Sequence, residues 1–389
     1  MKRAILVIGA LGLLAFSLVP SARAGWTPAK RLTWTTGVSA MPAVAIDSAD
    51  AIHVVWQDDT SGAAEICYKQ STNSGTTWST LRLLTFNAGA SEYPVIAIDP
   101  SDHIHVVWQD DTAGNAEIYY ERSEDGGATW GPARRLTWNS GSSQYPAIAT
   151  DSNGHIHIVW QDDTPGNPEI YYRKSEDGGT SWGAARRLTW TANASQYPAA
   201  AVGSGDGIHV VWQDSPPGNF EIYYRGSLDG GTTWNPVKRL TWTSLDSWRP
   251  AITRGSGNSL HIVWSDDTPG IDAVYYKRST DGGTTWSGAK RLTWNADWNF
   301  NPSIAMDSAA TLHMAWRRDY AYDEADIFYM SSTNGGVTWS VGTALTSNNG
   351  RSYDPVLAID STDTIHTVWY DGWDEYLSGV PEIYYKKST

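Results

Sequence analysis

The chain is predicted to be all-β and to form a single seven-bladed propeller of four-stranded antiparallel blades. Three observations carry this reading. Among 389 residues there are 22 Trp, 20 Tyr and 36 Gly but only 5 Phe, and runs of Ala, Leu, Glu and Lys at helical spacing are scarce, a mixture that fits strands joined by turns. A segment like IHVVWQDD recurs with His53, His105, His157, His209, His261 and His313 at intervals of 52 residues, followed by His366 after 53. Each repeat holds four β-branched or aromatic runs of period two, separated by Gly, Asn, Asp or Pro, as a four-stranded antiparallel meander requires.

The first element, Met1 to Ala24, reads as a secretory signal peptide: Lys2 and Arg3 precede an apolar core from about Ala4 to Val19, and Ala22-Arg23-Ala24 offers a small-x-small cleavage site. The apolar run is short for a spanning helix, and no Cys follows the cleavage site to carry a lipid. Residues 25–389 are then expected to be one domain, secreted to an extracellular or periplasmic space and free of the membrane. The leader holds three of the 28 basic residues and none of the 42 acidic ones, so its removal takes the net charge from −14 to about −17. Duplex nucleic acid and anionic membrane surfaces are poor partners for such a chain. Cys67 is the one cysteine, so no intrachain disulfide forms and packing must supply the stability.

Within the third repeat the order is a first run YPAIATD, a turn SNG, a second run HIHIVWQD, a polar loop DTPGNPE, a third run IYYRKS, the octet SEDGGTSW and a last run WGAARRLT. A unit of this size cannot bury both faces alone and has to stack on its neighbours. The ends indicate how the stack terminates. GWTPAKRLTW, after the leader, matches the fourth run of the other repeats, with eight residues from Trp26 to Trp34 as from Trp130 to Trp138, while Lys387-Ser388-Thr389 begin a seventh octet. Complementary ends predict a closed ring whose last blade takes its outer strand from the N-terminus, which removes exposed sheet edges.

The octets are STNSGTTW, SEDGGATW, SEDGGTSW, SLDGGTTW, STDGGTTW and STNGGVTW, beginning at residues 71, 123, 175, 227, 279 and 332. On these the chain resembles the Asp-box (BNR) repeat proteins of the sialidase-like superfamily, and the resemblance covers essentially the whole mature chain. It is specific for fold. The residues themselves support a structural role: Asp125, Asp177, Asp229 and Asp281 can accept hydrogen bonds from their own turn, paired glycines permit positive φ, and the closing Trp can wedge into the blade. Asn73 and Asn334 replace the Asp in two copies, keeping the acceptor oxygen without the charge, a change that a turn tolerates better than a metal site or a catalytic acid. A phosphate cradle is excluded, since no Lys follows the glycines.

The seven histidines sit on second strands away from the channel and are expected to be structural hydrogen-bonding groups, not metal ligands. Loops such as Asp162-Asp163-Thr164 are read as solvated turns, with calcium as the alternative; they lack the oxygen-ligand spacing of a dedicated loop. No cofactor and no metal are expected.

Function is expected on the face away from the octets, where the loops joining strand four to strand one and strand two to strand three surround the channel. The residue before the first-strand Pro is Met41, Tyr93, Tyr145, Tyr197, Arg249, Asn301 and Asp354 in turn, and the residue after the second-strand Trp is Gln57, Gln109, Gln161, Gln213, Ser265, Arg317 and Tyr370. Blades two to four are uniform, whereas blades five to seven concentrate Arg249, Arg317, Arg318, Arg351, Tyr353, Trp373 and Tyr376, the last two on the long loop YDGWDEYLSGVPE. A ligand pocket is one reading of this asymmetry and neutral drift of degenerate repeats is the other. The sialidase resemblance implies three carboxylate-gripping arginines, a Tyr nucleophile activated by Glu and an Asp acid/base. The Arg-Ile-Pro signature of that family is absent, Ala40-Met41-Pro42 and Glu92-Tyr93-Pro94 standing at the matching positions, so no catalytic residue is assigned. Secreted recognition of a glycan or another extracellular polymer is favoured over exo-sialidase-like hydrolysis. A scaffold with a cell-surface protein partner is not separated from recognition by sequence. Trp34, Trp138, Trp190, Trp242 and Trp294 recur at the end of the fourth strand, with Phe86 and Ser347 in the other two blades, and read either as repeated glycan platforms or as blade-edge packing.

Overall fold

The computed structural model describes residues 25–389 apart from 217, 322–323, 348–349 and 373–378. The expected signal peptide at 1–24 and two site candidates, Trp373 and Tyr376, lie outside the described residues.

The repeats fold as read from their alternation. Seven separate four-stranded antiparallel sheets form, six of them with their strands in sequence order. In the third blade they are Ser143–Thr150, Ile156–Asp162, Glu169–Ser175 and Arg186–Arg187. The seventh blade pairs Ser352–Ile359, Ile365–Asp371 and Glu382–Lys387 with Lys30–Arg31 from the N-terminus, in the register Lys30 with Tyr385 and Arg31 with Tyr384. The ring is therefore closed by the N-terminal strand, and Leu32 is buried against Val368, Ile383 and Tyr385 as an ordinary member of that blade.

The core lies between blades. Every repeated histidine binds a third-strand tyrosine of its own blade through Nδ1, from His53 to Tyr68 at 2.8 Å round to His366 to Tyr385 at 2.7 Å. Each such tyrosine then meets the octet tryptophan of the next blade edge-on: Tyr68 with Trp130, Tyr120 with Trp182, Tyr172 with Trp234, Tyr224 with Trp286, Tyr276 with Trp339 and, across the closure, Tyr385 with Trp78. At the seventh junction Trp26 takes the place of the octet tryptophan against Tyr329, at 5.1 Å between ring centres. The octet tryptophan thus joins two blades instead of filling the interior of its own.

The octet turn behaves as its residue types dictate. Asp125 accepts from the Thr129 amide at 2.7 Å and from the Ser123 hydroxyl at 2.8 Å, while Gly126 and Gly127 take φ of 66° and 86°. A Cβ on Gly127 would lie 2.0 Å from the Tyr68 hydroxyl, so that glycine is also what lets the neighbouring tyrosine reach the turn. Hydrogen bonds, first from the Thr, Ser181 or Thr hydroxyl four residues on, hold Asp125, Asp177, Asp229 and Asp281 down to about 2. In the two Asn copies the amide of Asn73 donates to Thr77 Oγ1 at 2.7 Å, and Asn334 does the same to Thr338, replacing the hydroxyl-to-carboxylate bond with its reverse.

One reading needs correction. The double-carboxylate loops are solvated from their second acid onward, Asp163 and Thr164 being exposed, but not at the first. Asp162 is fully buried and accepts from Ser143 Oγ at 2.7 Å, and Asp163 accepts the Ser142 amide at 2.6 Å. Both carboxylates pin the incoming loop from strand four. Among the described residues no group of three or more His, Cys, Asp or Glu is placed to hold a metal ion.

Candidate functional site

The innermost strand of each blade carries the X-Pro pair, and the structure turns that pair into a ring. Proline has no N–H, so it suits a strand whose free edge lines the channel. The two X-Pro residues form a bulge: in the third blade Gln144 pairs with Gln161 and Ala147 with Val159, leaving Tyr145-Pro146 opposite Trp160 alone. All seven X residues consequently take φ between 47° and 52°, although none is glycine. Non-glycine residues pay about 1–2 kcal/mol for the left-handed region, and residues held there cluster at sites of function.

The bulge directs these seven side chains to the mouth of a central pocket of about 460 Å³, lined by Met41, Tyr93, Tyr145, Tyr197, Arg249, Asn301 and Asp354 together with their prolines. One arc is aromatic: the rings of Tyr93 and Tyr145 lie 4.7 Å apart, and those of Tyr145 and Tyr197 4.5 Å apart. Burial raises the phenol pKa of all three, so they stay neutral hydroxyl donors. The other arc is polar. Arg249 is exposed, stacks on Tyr197 at 4.7 Å and, among the described residues, forms no ion pair. Asn301 donates its side-chain amide to Asp354.

The glutamine that follows the second-strand tryptophan clamps this ring. Gln57, Gln109, Gln161 and Gln213 accept the amides of Tyr93, Tyr145, Tyr197 and Arg249, each in the next blade, at 3.0, 3.1, 3.2 and 2.9 Å. In blades five to seven the glutamine is replaced, and side chains fill the space instead. Arg317 stacks on Tyr353 at 4.1 Å and on Phe300 at 5.2 Å, and one edge of its guanidinium, Nε and Nη2, donates to both carboxylate oxygens of Asp319. Arg351 donates to the Tyr353 hydroxyl at 3.2 Å, and Tyr353 stacks on Tyr370 at 5.1 Å. Burial, then the neighbouring Asp354, pushes the Tyr370 phenol up.

The sequence-derived candidates therefore separate. Arg249 lines the pocket. Arg317, Arg351 and Tyr353 come together in one cluster beside it. Arg318 stands apart: it occupies the position held by a buried Asp in blades one to five, bonds Asp297 at 2.9 Å, and packs on Tyr320 and Phe328. Not chosen as site residues from sequence were Tyr93, Tyr145, Tyr197, Asn301 and Asp354, whose common signal was the residue before a strand proline. Also missed was Asp272, a buried acid that accepts from Trp248 Nε1 at 3.1 Å and is pushed up to about 6 by burial and then by Asp267.

Comparison with known proteins agrees with this fold. The BNR repeat-containing family matches residues 70–243. No curated protein sequence gives a match. Similar solved structures include an ulvan lyase of polysaccharide lyase family PL25 bound to -[GlcA(1-4)Rha3S]-, with TM-score 0.64 and 11% identity over 91% of this chain and 95% of that one. The NanB sialidase of Streptococcus pneumoniae has TM-score 0.53 and 11% identity over 92% of this chain and 70% of that one. The intramolecular trans-sialidase of Ruminococcus gnavus has TM-score 0.54 and 12% identity over 92% and 97%. At these identities the likeness is one of fold.

Proposed function

We propose that the protein is a secreted glycan-recognition propeller whose central pocket takes an acidic sugar unit. The observation that carries this reading is the ring of seven left-handed X-Pro residues, which sets an aromatic arc, Tyr93, Tyr145 and Tyr197, facing a polar arc, Arg249, Asn301 and Asp354. Aromatic faces suit the C–H face of a pyranose. Asn301 and Asp354 suit its hydroxyls, and Arg249 suits a carboxylate. Glycan-directed neighbours of the same fold support the class of ligand.

A second reading is sialidase-like hydrolysis, favoured by the contact of Arg317, Arg351 and Tyr353 beside Tyr370. A glycan array and a fluorogenic sialoside assay on the mature protein test both. Binding is expected to concentrate on carboxylate-bearing glycans and to weaken in Arg249→Ala by about 10- to 150-fold, the equivalent of a charge-assisted bond of about 1.5–3 kcal/mol. Unchanged binding in Arg249→Ala overturns the pocket reading. Sialoside turnover abolished by Tyr353→Phe or Arg351→Ala establishes the second.

A further inference from the structure

Five tryptophans stand on the outer rim at the end of the fourth strand, and they are open to solvent: Trp34 at 69%, Trp138 and Trp190 at 65%, Trp242 at 69% and Trp294 at 76%. Blade-edge packing is therefore not their role. Each lies at a seam between blades with a cation against its ring. Trp138 meets Arg135 of its own blade at 5.9 Å and Arg173 of the next at 6.0 Å, and Trp34, Trp190 and Trp242 are flanked in the same way at 5.6–5.9 Å.

The charges at these seams follow one rule. In four of them the own-blade arginine is neutralised by a buried glutamate, as Arg135 is by Glu117 at 2.6 Å. The cation from the next blade, Lys69, Arg173, Arg225 or Lys277, donates to a backbone carbonyl and has no ion pair among the described residues. One uncompensated positive charge is left. At the fifth seam both partners change together: Ala273 stands where the glutamate would be and Met330 where the next-blade cation would be, so Arg291, 4.8 Å from Trp294, supplies the single charge. Where the tryptophan is lost, the own-blade arginine is lost too. Phe86 accompanies Leu83 and Ser347 accompanies Ala344, and these two blades fold normally. The indole and the own-blade arginine are thus kept or lost together, a pairing that the fold itself does not need, while the next-blade position follows its own course, with Glu121 at the Phe86 seam and Lys386, on the Leu345 carbonyl, at the Ser347 seam.

We propose that this rim is a second, multivalent surface for a polysaccharide of anionic pyranose units, independent of the central pocket, each seam taking one sugar on the indole with its carboxylate or sulfate on the adjacent cation. One charge per seam on a chain of net charge −14 fits a sparsely charged polymer. It does not fit duplex nucleic acid, which carries one charge per about 1.7 Å of axis. Single exposed sites of this kind are weak, and repetition round the ring makes them useful together.

Affinity electrophoresis of the mature protein through gels containing polygalacturonate, κ-carrageenan or neutral dextran tests this, the first two separating carboxylate from sulfate as the preferred anion. Retardation is expected in at least one anionic gel and not in the neutral one. Trp138→Ala/Trp190→Ala/Trp242→Ala should weaken it more than tenfold in the Arg249→Ala background as well, where the pocket no longer contributes, and the corresponding Phe triple variant should restore part of it, so that failure of the pocket reading and failure of this one are read separately. No retardation of the wild type, equal retardation by neutral dextran, or a triple Ala variant that runs like the wild type overturns the proposal.

Discussion

Lowering the pH from 6.5 to 4 should destabilise the ring through its repeated histidines. Burial holds His53, His105, His157, His209, His261 and His366 below the ordinary value of 6.5, with His157, His209 and His261 pushed down to about 4. The unfolded chain takes up protons at these positions near pH 6.5, whereas the folded chain stays neutral at His157, His209 and His261 until about 4. Between those values the unfolded state binds more protons, so stability falls as pH falls. One pKa unit corresponds to about 1.4 kcal/mol, so His157, His209 and His261 together cost on the order of 10 kcal/mol by pH 4. Unfolding entropy for a chain this long is on the order of 0.8 kcal/mol/K, which converts that loss to a Tm drop of about 10 °C. Glu121, pushed up to about 7 by burial, and Asp272 act in the opposite sense, since the folded state protonates them first. Asp99, Asp151 and Asp360 enter only below 3.8: burial alone would raise them, but hydrogen bonds from histidine and backbone groups outweigh it and hold them low. The assay is therefore calorimetric Tm against pH for the wild type and for His157→Gln/His209→Gln/His261→Gln, whose difference isolates the three histidines. Parallel curves between pH 6.5 and 4 would refute the claim that buried neutral histidines hold the blades together.

Two further outcomes are expected. Asp125→Asn should melt like the wild type, because Asn73 and Asn334 already fill the same turn, while Asp125→Ala should melt lower; equal losses would mean that the charge itself is required. Leu32→Ala should cost about 2–5 kcal/mol, the same as Leu188→Ala in the third blade, because both leucines are almost completely buried at matching positions. A much smaller loss at Leu32 in thermal unfolding would show that the N-terminal strand does not carry its share of the seventh blade.

Fold and closure were legible in the sequence because they rest on local signals repeated seven times: period-two runs, octet turns, and the eight-residue spacing of Trp26 and Trp34. The inter-blade role of the octet tryptophan was not, since the tyrosine it meets belongs to another repeat and no spacing links Trp130 to Tyr68. The candidate site was half legible. Register located Arg249 and the loss of glutamine in blades five to seven, but the left-handed backbone that directs the X residues into the pocket follows from a bulge, and the bulge depends on pairing with the second strand. Arg318 stands apart from the pocket for the complementary reason. It neighbours Arg317 in sequence, and neighbouring residues of a strand point to opposite faces.

Drift and design of the asymmetric arc differ in what they leave behind. Uncorrected drift leaves unpaired groups, as at Ser265 in blade five, whose buried hydroxyl has no hydrogen-bond partner among the described residues, whereas the substitutions around blades six and seven are matched: Arg317 with Asp319 and Tyr353, Arg318 with Asp297, Asn299 with the Trp316 indole N–H at 2.9 Å, and Asn301 with Asp354. Arg317→Gln separates the two accounts. The new side chain would stand where Gln57, Gln109, Gln161 and Gln213 reach the amide of the next X residue, here Asp354, a gain of about 1 kcal/mol. Against this, the variant loses the stacking of the guanidinium on two rings, about 0.5–2 kcal/mol, and the Asp319 pair. The net change in stability should thus stay within about 2 kcal/mol and the ring should remain folded. If blades five to seven have merely drifted, affinity for a carboxylate-bearing glycan is untouched. If Arg317 positions Tyr353 and Asp354 at the pocket edge, affinity falls while Tm barely moves, and the fall should be smaller than that of Arg249→Ala, because Arg249 meets the ligand directly. Affinity and Tm both equal to the wild type would leave Arg249 as the pocket's one functional arginine and return the cluster behind it to packing.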